Sequence, residues 1–290
     1  MSAPLAEAAQ PSRNGWRVTE PPPLYDVPLP ETPTIRRVVA NNPGPMTGNG
    51  TNSWVVEHAQ GCVIIDPGSA TPEHLDALVN ATAGHPVTHI ILTHTHRDHL
   101  EGARPLGERL GVPVCGFYQS AEPSFTPDIG LHDADVIAGL RVLYTPGHAN
   151  DHICLETPDG IIFTGDHVMG WSTTMVPPAP HGSVRQFLDS MDYLQQRNSH
   201  LLLSAHGPAI TQVNECINGL VAHRHAREKS ILALLPATPR TLDEILDSMY
   251  HKLRPGLRRA ARLNLHAHLE KLHEEGRVSL HDDRWAKITP

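Results

Sequence analysis

A series of short apolar runs, each ending on a residue that can bind a metal, constrains this chain most. Residues 87–99 read VTHIILTHTHRDH. The β-branched run predicts a buried strand, and it leads directly into His94, His96, Asp98 and His99. In extended backbone, residues i and i+2 point to one side, so His94 and His96 can address one point. After the chain turns, Asp98 and His99 can address a second. A plainer reading makes Asp98 a helix N-cap and the histidines loop polarity. The chain holds 21 histidines in 290 residues, so no single one carries weight. The metal reading, unlike the plainer one, requires further ligands at other strand ends. They occur at His148 in TPGH, Asp166 in FTGD and His206 in SAHG. Imidazole and carboxylate donors without thiolate suit zinc first, with iron and manganese compatible.

The remaining pattern is α/β. Residues 1–34 are proline-rich without apolar periodicity and read as an extended arm lying on the fold. Strands are expected at IRRVVANN, SWVVEH, CVIIDPG, VPVCGF, GLRVLYTPGH, HICLET, GIIFTGD and HLLLSAHGP. Helices are expected over 72–83, 98–110, SVRQFLDSMDYLQQR and 212–234. A different texture follows. The cap pattern T-x-x-E opens TLDEILDSMY, a helix with the stripe Leu257, Ala261, Leu265, Leu269 and Leu272 comes next, and a hairpin turns at Asp282-Asp283. That outline is winged-helix-like. The division expected is an arm over 1–34, a catalytic domain over 35–230 and a small domain over 231–290.

Composition narrows the partners. Net charge is −8. Residues 1–220 hold 10 basic and 22 acidic side chains, a balance of −12, whereas residues 221–290 hold 13 and 9, a balance of +4. An acidic core disfavours a polyanion, while the basic tail suits an acidic partner or a solvated helix. Cys62, Cys115, Cys154 and Cys216 lack metal-knuckle spacing and read as buried thiols. Without a signal-like start or an apolar run of roughly 18 residues, a soluble cytoplasmic protein with no membrane partner is expected.

The order H-x-H-x-D-H, then a glycine-preceded histidine, G-D, and a histidine before glycine resembles the metallo-β-lactamase superfamily of metal-dependent hydrolases. CVIIDPG matches that superfamily's early strand-and-aspartate motif. The resemblance covers about residues 35–210 and implies an αββα sandwich. It also implies that His94, His96 and His148 hold one divalent ion, that Asp98, His99 and His206 hold a second, and that Asp166 bridges them. Asp66 is expected to brace a ligand loop. His58, His74, His85, His89, His152, His167, His266 and His268 are expected to be bystanders. Within the superfamily, NPGPMTGNGTN, THTHRDHLEG, GDHVMGWSTTMV and AHRHAREKSILALL resemble the lactamase-beta-like protein 2 group. Its members carry a winged-helix-like tail and include a single-strand RNA endonuclease and thioesterase-like hydrolases.

Two adjacent cations hold a water and bring its pKa from 15.7 towards about 7. A metal-bridging hydroxide is therefore the expected nucleophile, with Asp98 both binding metal and handling the proton. No GxSxG offers a serine instead. The loop GDHVMGWSTTMVPPAPHG is expected over the metals, with Trp171, Ser172, Thr173 and Thr174 orienting substrate and His181 at the rim. The alternative is that these hydroxyls cap their own loop. A small acyl substrate, a thioester, ester or lactone, is the favoured expectation. Single-stranded RNA is the alternative, through Arg254, Arg258, Arg259 and Arg262. A nucleic-acid-binding metal or metabolite sensor is the reading from another class.

Overall fold

The computed structural model describes residues 10–11, 15–250 and 255–288. Near the amino terminus β1 (Gln10–Pro11) pairs with β2 (Val18–Thr19). A seven-stranded sheet then forms in the order β3 (Pro28–Thr32), β4 (Ile35–Val39), β5 (Asn52–His58), β6 (Gly61–Ile65), β7 (Val87–Ile91), β8 (Val114–Phe117) and β9 (Ile129–Leu131). It is antiparallel as far as β6 and parallel beyond it. Parallel neighbours need crossovers. These are α1 (Pro72–Ala81), between β6 and β7, the pair α2 (Arg97–Leu100) and α3 (Ala103–Leu110), between β7 and β8, and a helix-free connection from β8 to β9.

The second sheet runs β10 (Val136–Ile137), β11 (Leu140–Tyr144), β12 (Ile153–Glu156), β13 (Ile161–Gly165) and β14 (Leu201–Ser204). Only β13 and β14 pair in parallel, joined through α4 (Val184–Gln195). The period-two rule assigns the faces. Trp54, Val56, Val63, Ile65 and Ile91 meet Val142, Ile153, Leu155, Phe163 and Leu203 in one buried cluster between the sheets. Their alternates Val55, Ile64 and Ile90 pack under α1 and α3. Leu143, Cys154, Ile162 and Leu202 pack under α4 and α5 (Val213–Leu234). The layers are therefore helix, sheet, sheet, helix. All four cysteines are buried and free.

Helix α5 runs unbroken through residue 230. Cys216, Ile217 and Leu220 belong to the second sheet's outer core, and Ile231 to the terminal cluster. That cluster joins β15 (Arg240–Thr241), α6 (Leu242–Met249), α7 (Arg258–Glu274), β16 (Val278–His281) and β17 (Arg284–Lys287), with the strands in the order β15-β17-β16. Thr241 and Glu244 form the reciprocal cap that T-x-x-E predicts. Asp282 and Asp283 turn the hairpin at φ of 47° and 58°, values an aspartate tolerates better than most residues. Helices followed by this small sheet make a winged-helix module.

Two expectations need correction. The helix expected over 98–110 is two helices, because the backbone closes on the turn after β6 at Gly102. Its N–H donates to the Gly68 carbonyl at 2.9 Å, and a Cβ there would lie 2.8 Å from the Pro67 carbonyl oxygen. The proline-rich arm also contributes a strand. β3 sits at a sheet edge, where Pro28 and Pro30 can pair without a full set of donors. The arm lies on the fold through Val18, whose N–H donates to Gly170, and through Glu20, which accepts from Arg37 at 2.9 Å.

Candidate metal centre

The strands β11, β13 and β14 point the same way, so the residues after them gather at one edge of the second sheet. Those residues are His148, Asp166 and His206. The end of β7 meets them across the sandwich, where the Ile153 N–H donates to the Thr93 carbonyl at 2.7 Å. His94 and His96 follow in extended backbone, and Asp98 and His99 stand on the short helix α2. The glycines that precede two ligands are close approaches. A Cβ at Gly147 (φ 139°) would lie 2.4 Å from Cα of Phe187. One at Gly165 (φ 47°) would lie 2.6 Å from Nε2 of His152.

All seven expected ligands converge, in two groups. His94, His96, His148 and Asp166 form one, and Asp98, His99 and His206 the other. In the first, His96 Nδ1 lies 2.9 Å from His94 Nε2 and 3.0 Å from His148 Nε2. Two nitrogens bound to one tetrahedral zinc at about 2.05 Å would be about 3.3 Å apart, a similar spacing. Asp166 lies between the groups. Its Oδ2 is 3.5 Å from His148 Nε2, and its Oδ1 is 3.2 Å from His206 Nε2 and 3.6 Å from His99 Nε2. Asp98 Oδ2 is 3.3 Å from His206 Nε2 and 3.5 Å from His99 Nε2.

The outer nitrogens of these histidines are engaged in ways that leave the inner ones free. His148 Nδ1 donates to the Met175 carbonyl at 2.7 Å, and His206 Nδ1 to the Gly50 carbonyl at 3.1 Å. His99 Nδ1 donates to Asp66 at 3.0 Å. His94 Nδ1 lies 3.1 Å from the Thr93 hydroxyl, which donates onward to Asp66 at 2.7 Å. Asp66 thus braces a ligand from each group, the arrangement that fixes a tautomer for metal binding. Asp66 has φ of 48°, a left-handed backbone that its bonds to the Thr93 N–H and hydroxyl hold in place.

Three observations show that the site fits a pair of cations. His99 Nε2 and Asp166 Oδ1 are buried and have no hydrogen-bond partner among the described residues. Such atoms are costly unless something else satisfies them. The donors are imidazole and carboxylate only, in two clusters that share Asp166 as neighbour. Finally, the electrostatics call for positive charge at the second group. Burial opposes charging of His206, yet the Asp166 and Asp98 carboxylates prevail and push it up to about 10. His99 is likewise raised, against burial, by Asp98, Asp66 and Asp166. In the first group burial wins. It holds His148 down to about 4 and His94 well below its ordinary value, so both are neutral ligands.

The expected substrate residues separate. Trp171, Ser172 and Thr173 line a cavity of about 270 Å³. The Trp171 ring covers Gly207, beside the ligand His206, since a Cβ at 207 would reach it at 2.7 Å. Thr174 is fully buried, and its hydroxyl donates to the Asp166 carbonyl at 2.8 Å; it ties the loop to a ligand instead of facing outward. His181 is exposed on the turn after Pro178, and the neighbouring Ala179 N–H bonds Glu270 of α7.

Some supports escaped the sequence reading. Thr51 donates to Asp98 at 3.3 Å and is itself held by Asn42 on both its N–H and its hydroxyl. Asp151 accepts from Thr95 and from the Ala121 N–H at 2.9 Å, pinning the backbone between His94 and His96. Their signal was polar residues at loop positions, which local pattern cannot distinguish from turn chemistry. Arg254 lies outside the described residues.

Comparison with known proteins agrees with this geometry. The family model described as Metallo-beta-lactamase superfamily matches residues 46–128 and 116–206, together more than half of the chain. The model described as Beta-lactamase associated winged helix domain matches residues 241–285. A Beta-lactamase-like protein 2 homolog of Drosophila melanogaster is 27% identical, over 85% of this chain and 90% of its own length. The Atrochrysone carboxyl ACP thioesterase dmxR1 of Cryptosporiopsis sp. (strain 8999) is 30% identical over 74% of this chain and 66% of its own. A Beta-lactamase domain protein from Burkholderia ambifaria shares the fold across both modules, with a TM-score of 0.81 at 22% identity, covering 92% of this chain and 95% of that one. Two clusters of ligand-type residues with Asp166 between them, at the edge of a helix–sheet–sheet–helix sandwich with a winged-helix tail, and the matching family models place this chain in the metallo-β-lactamase superfamily of hydrolases.

Proposed function

We propose that this protein is a di-zinc hydrolase of small acyl substrates, a thioester, ester or lactone. Imidazole and carboxylate donors at tetrahedral-like spacing favour zinc, and elemental analysis of the purified protein distinguishes it from iron or manganese. His94, His96 and His148 would hold one ion and Asp98, His99 and His206 the other, with Asp166 shared. When bound, such a pair supplies Lewis acidity to a carbonyl oxygen and lowers the pKa of a water. The chain's own residues do the rest. Burial raises the Asp98 carboxyl, but His99 and His206 outweigh it and hold Asp98 well below the usual range. It is therefore ionised at neutral pH. Thr51 fixes its orientation, and it remains open enough to solvent to receive a proton from an attacking water.

The observation that carries the acyl reading over RNA is the fate of the arginines. Arg258 pairs with Asp247 at 2.5 Å and Asp243 at 3.6 Å, and Arg262 with Asp243 at 3.3 Å. These two charges are spent within the module, Arg259 has no ion pair among the described residues, and residues 1–220 are acidic. A relative named as a thioesterase supports the same reading. Four buried free thiols suit a reducing, cytoplasmic compartment. No helix among the described residues is long and apolar enough to cross a membrane.

The test is a hydrolysis screen of metal-loaded protein over thioesters, lactones, β-lactams, phosphodiesters and single-stranded RNA, with Asp98→Ala as control. Turnover of acyl substrates that disappears in the control supports the reading. Cleavage of RNA alone replaces it with the endonuclease. Binding of nucleic acid with no turnover in any arm points to the sensor.

A further inference from the structure

We propose that the winged-helix module is part of the substrate site, and that an apolar acyl group lodges between it and the loop after Asp166. This rests on the acyl-hydrolase reading above and names which acyl groups are taken. The cavity of about 270 Å³ beside that loop has two walls. The near wall is Met46, Met169, Trp171 and Met175, with Ser172 and Thr173 beside them. The far wall is Tyr250, Leu257, Ala260 and Ala261 of the terminal module, together with Arg227 of α5 and Asn264. Three of the chain's six methionines therefore line one cavity. Thioethers are flexible and polarisable, and they suit apolar guests of variable shape.

No metal ligand lines this cavity among the described residues. The near wall is nonetheless attached to the ligands directly. Met175 offers its carbonyl to His148, Thr174 bonds the Asp166 carbonyl, and Trp171 covers Gly207. A substrate whose carbonyl reaches the metal ligands can thus extend its apolar remainder over this loop into the cavity.

The two walls are also fixed to one another. Arg224, buried in α5, donates to the Thr174 carbonyl on the near side and to Asn264 on the far side at 3.2 Å. Arg227, one turn on, donates to the Tyr250 hydroxyl and lies 5.2 Å from the Tyr250 ring centroid. A far wall held this firmly can measure the length of a guest. At roughly 30 Å³ for a water-sized group, the space takes on the order of nine such groups. Each methylene buried there should improve binding about fourfold.

The experiment uses the full-length, metal-loaded protein with straight-chain acyl thioesters from acetyl to dodecanoyl. The wild type should show kcat/KM rising with chain length until the cavity is filled. Ala260→Phe fills the far wall and should lower the decanoyl-to-acetyl ratio of kcat/KM at least tenfold. Met46→Glu, at a half-exposed lip, should lower it in the same direction without a core change that could prevent folding. Decanoate binding, followed calorimetrically, is the readout that does not need turnover, and both variants should weaken it tenfold. If thioesters are not hydrolysed but decanoate binds and Ala260→Phe abolishes that binding, the acyl-hydrolase reading fails and the binding site stands. If thioesters are hydrolysed with a ratio that neither variant alters, the site is elsewhere and this proposal is overturned.

Discussion

Arg224 donates a hydrogen bond to the carbonyl of Thr174, and Thr174 in turn donates to the carbonyl of Asp166. A helix that leads into the terminal module is thereby two hydrogen bonds from the aspartate that lies between the two groups.

Replacing Arg224 by Met tests that connection. Burial already lowers the Arg224 pKa to about 10, so removing the charge relieves a desolvation cost. Against this, the Thr174 backbone carbonyl and the Asn264 side-chain Oδ1 lose a charged donor, and hydrogen bonds to a charged group are worth about 1.5–3 kcal/mol each, an opposing cost of similar size. Thermal stability should therefore move little, while kcat/KM on the best acyl substrate falls roughly tenfold as the loop loses its position. Arg224→Lys, which can satisfy one carbonyl at a time, should recover part of the loss. Wild-type kinetics in Arg224→Met would show that the connection is only structural.

Asp66→Asn should damage the second ion's site through a tautomer. Asp66 Oδ1 accepts from the Thr93 N–H, and Oδ2, which also accepts from the Thr93 hydroxyl, faces His99 Nδ1. In the variant an amide N–H replaces Oδ2 and donates to Nδ1, so the imidazole proton moves to Nε2, where the lone pair is needed. Metal affinity should fall on the order of 10–100-fold at that site. Metal analysis after dialysis against a chelator should find close to one ion per chain, where the wild type retains two.

Acidification should remove the two ions in order. His206, raised to about 10, and His99, also raised, are protonated at neutral pH before metal arrives, so binding must displace those protons. Affinity at the second group therefore falls as pH drops below about 10. His148, held down to about 4, and His94, held well below its ordinary value by burial, are already neutral, so the first group keeps its affinity until the solution is far more acidic. Calorimetry in buffers of different ionisation enthalpy should show proton release on filling the second group at pH 7, and little on filling the first. Equal release from both would contradict the assignment of neutral and charged histidines.

Changing Arg258 and Arg262 to Ala should leave acyl turnover and its salt dependence unaltered. Both are exposed and already paired with acids in their own module. Surface pairs of this kind contribute little to stability. A marked fall in activity, with a weaker dependence on salt, would instead indicate a phosphate-bearing substrate.

Much of this architecture can be read from local pattern, because local pattern carries its causes. Alternation along SWVVEH and GIIFTGD marks one face for the sheet interface and the other for the helices, as Val56 and Val55, or Phe163 and Ile162, demonstrate. The seven ligand-type residues are legible because each follows an apolar run, and strand ends collect at a sheet edge. Thr241 and Glu244 announce their cap by spacing alone. What sequence cannot show is which distant groups meet. The break at Gly102 depends on the carbonyls of residues 67–69. The edge strand in the proline-rich arm exists because β4 was there to pair with it. Thr174 reads as a substrate hydroxyl until Asp166 and Arg224 close around it, and Arg258 and Arg262 read as part of a phosphate surface until Asp243 and Asp247 claim them. Short-range order follows from backbone and side-chain preferences within a few residues. The partner of a polar group is decided by the packing of segments that are far apart along the chain, and only tertiary structure resolves it.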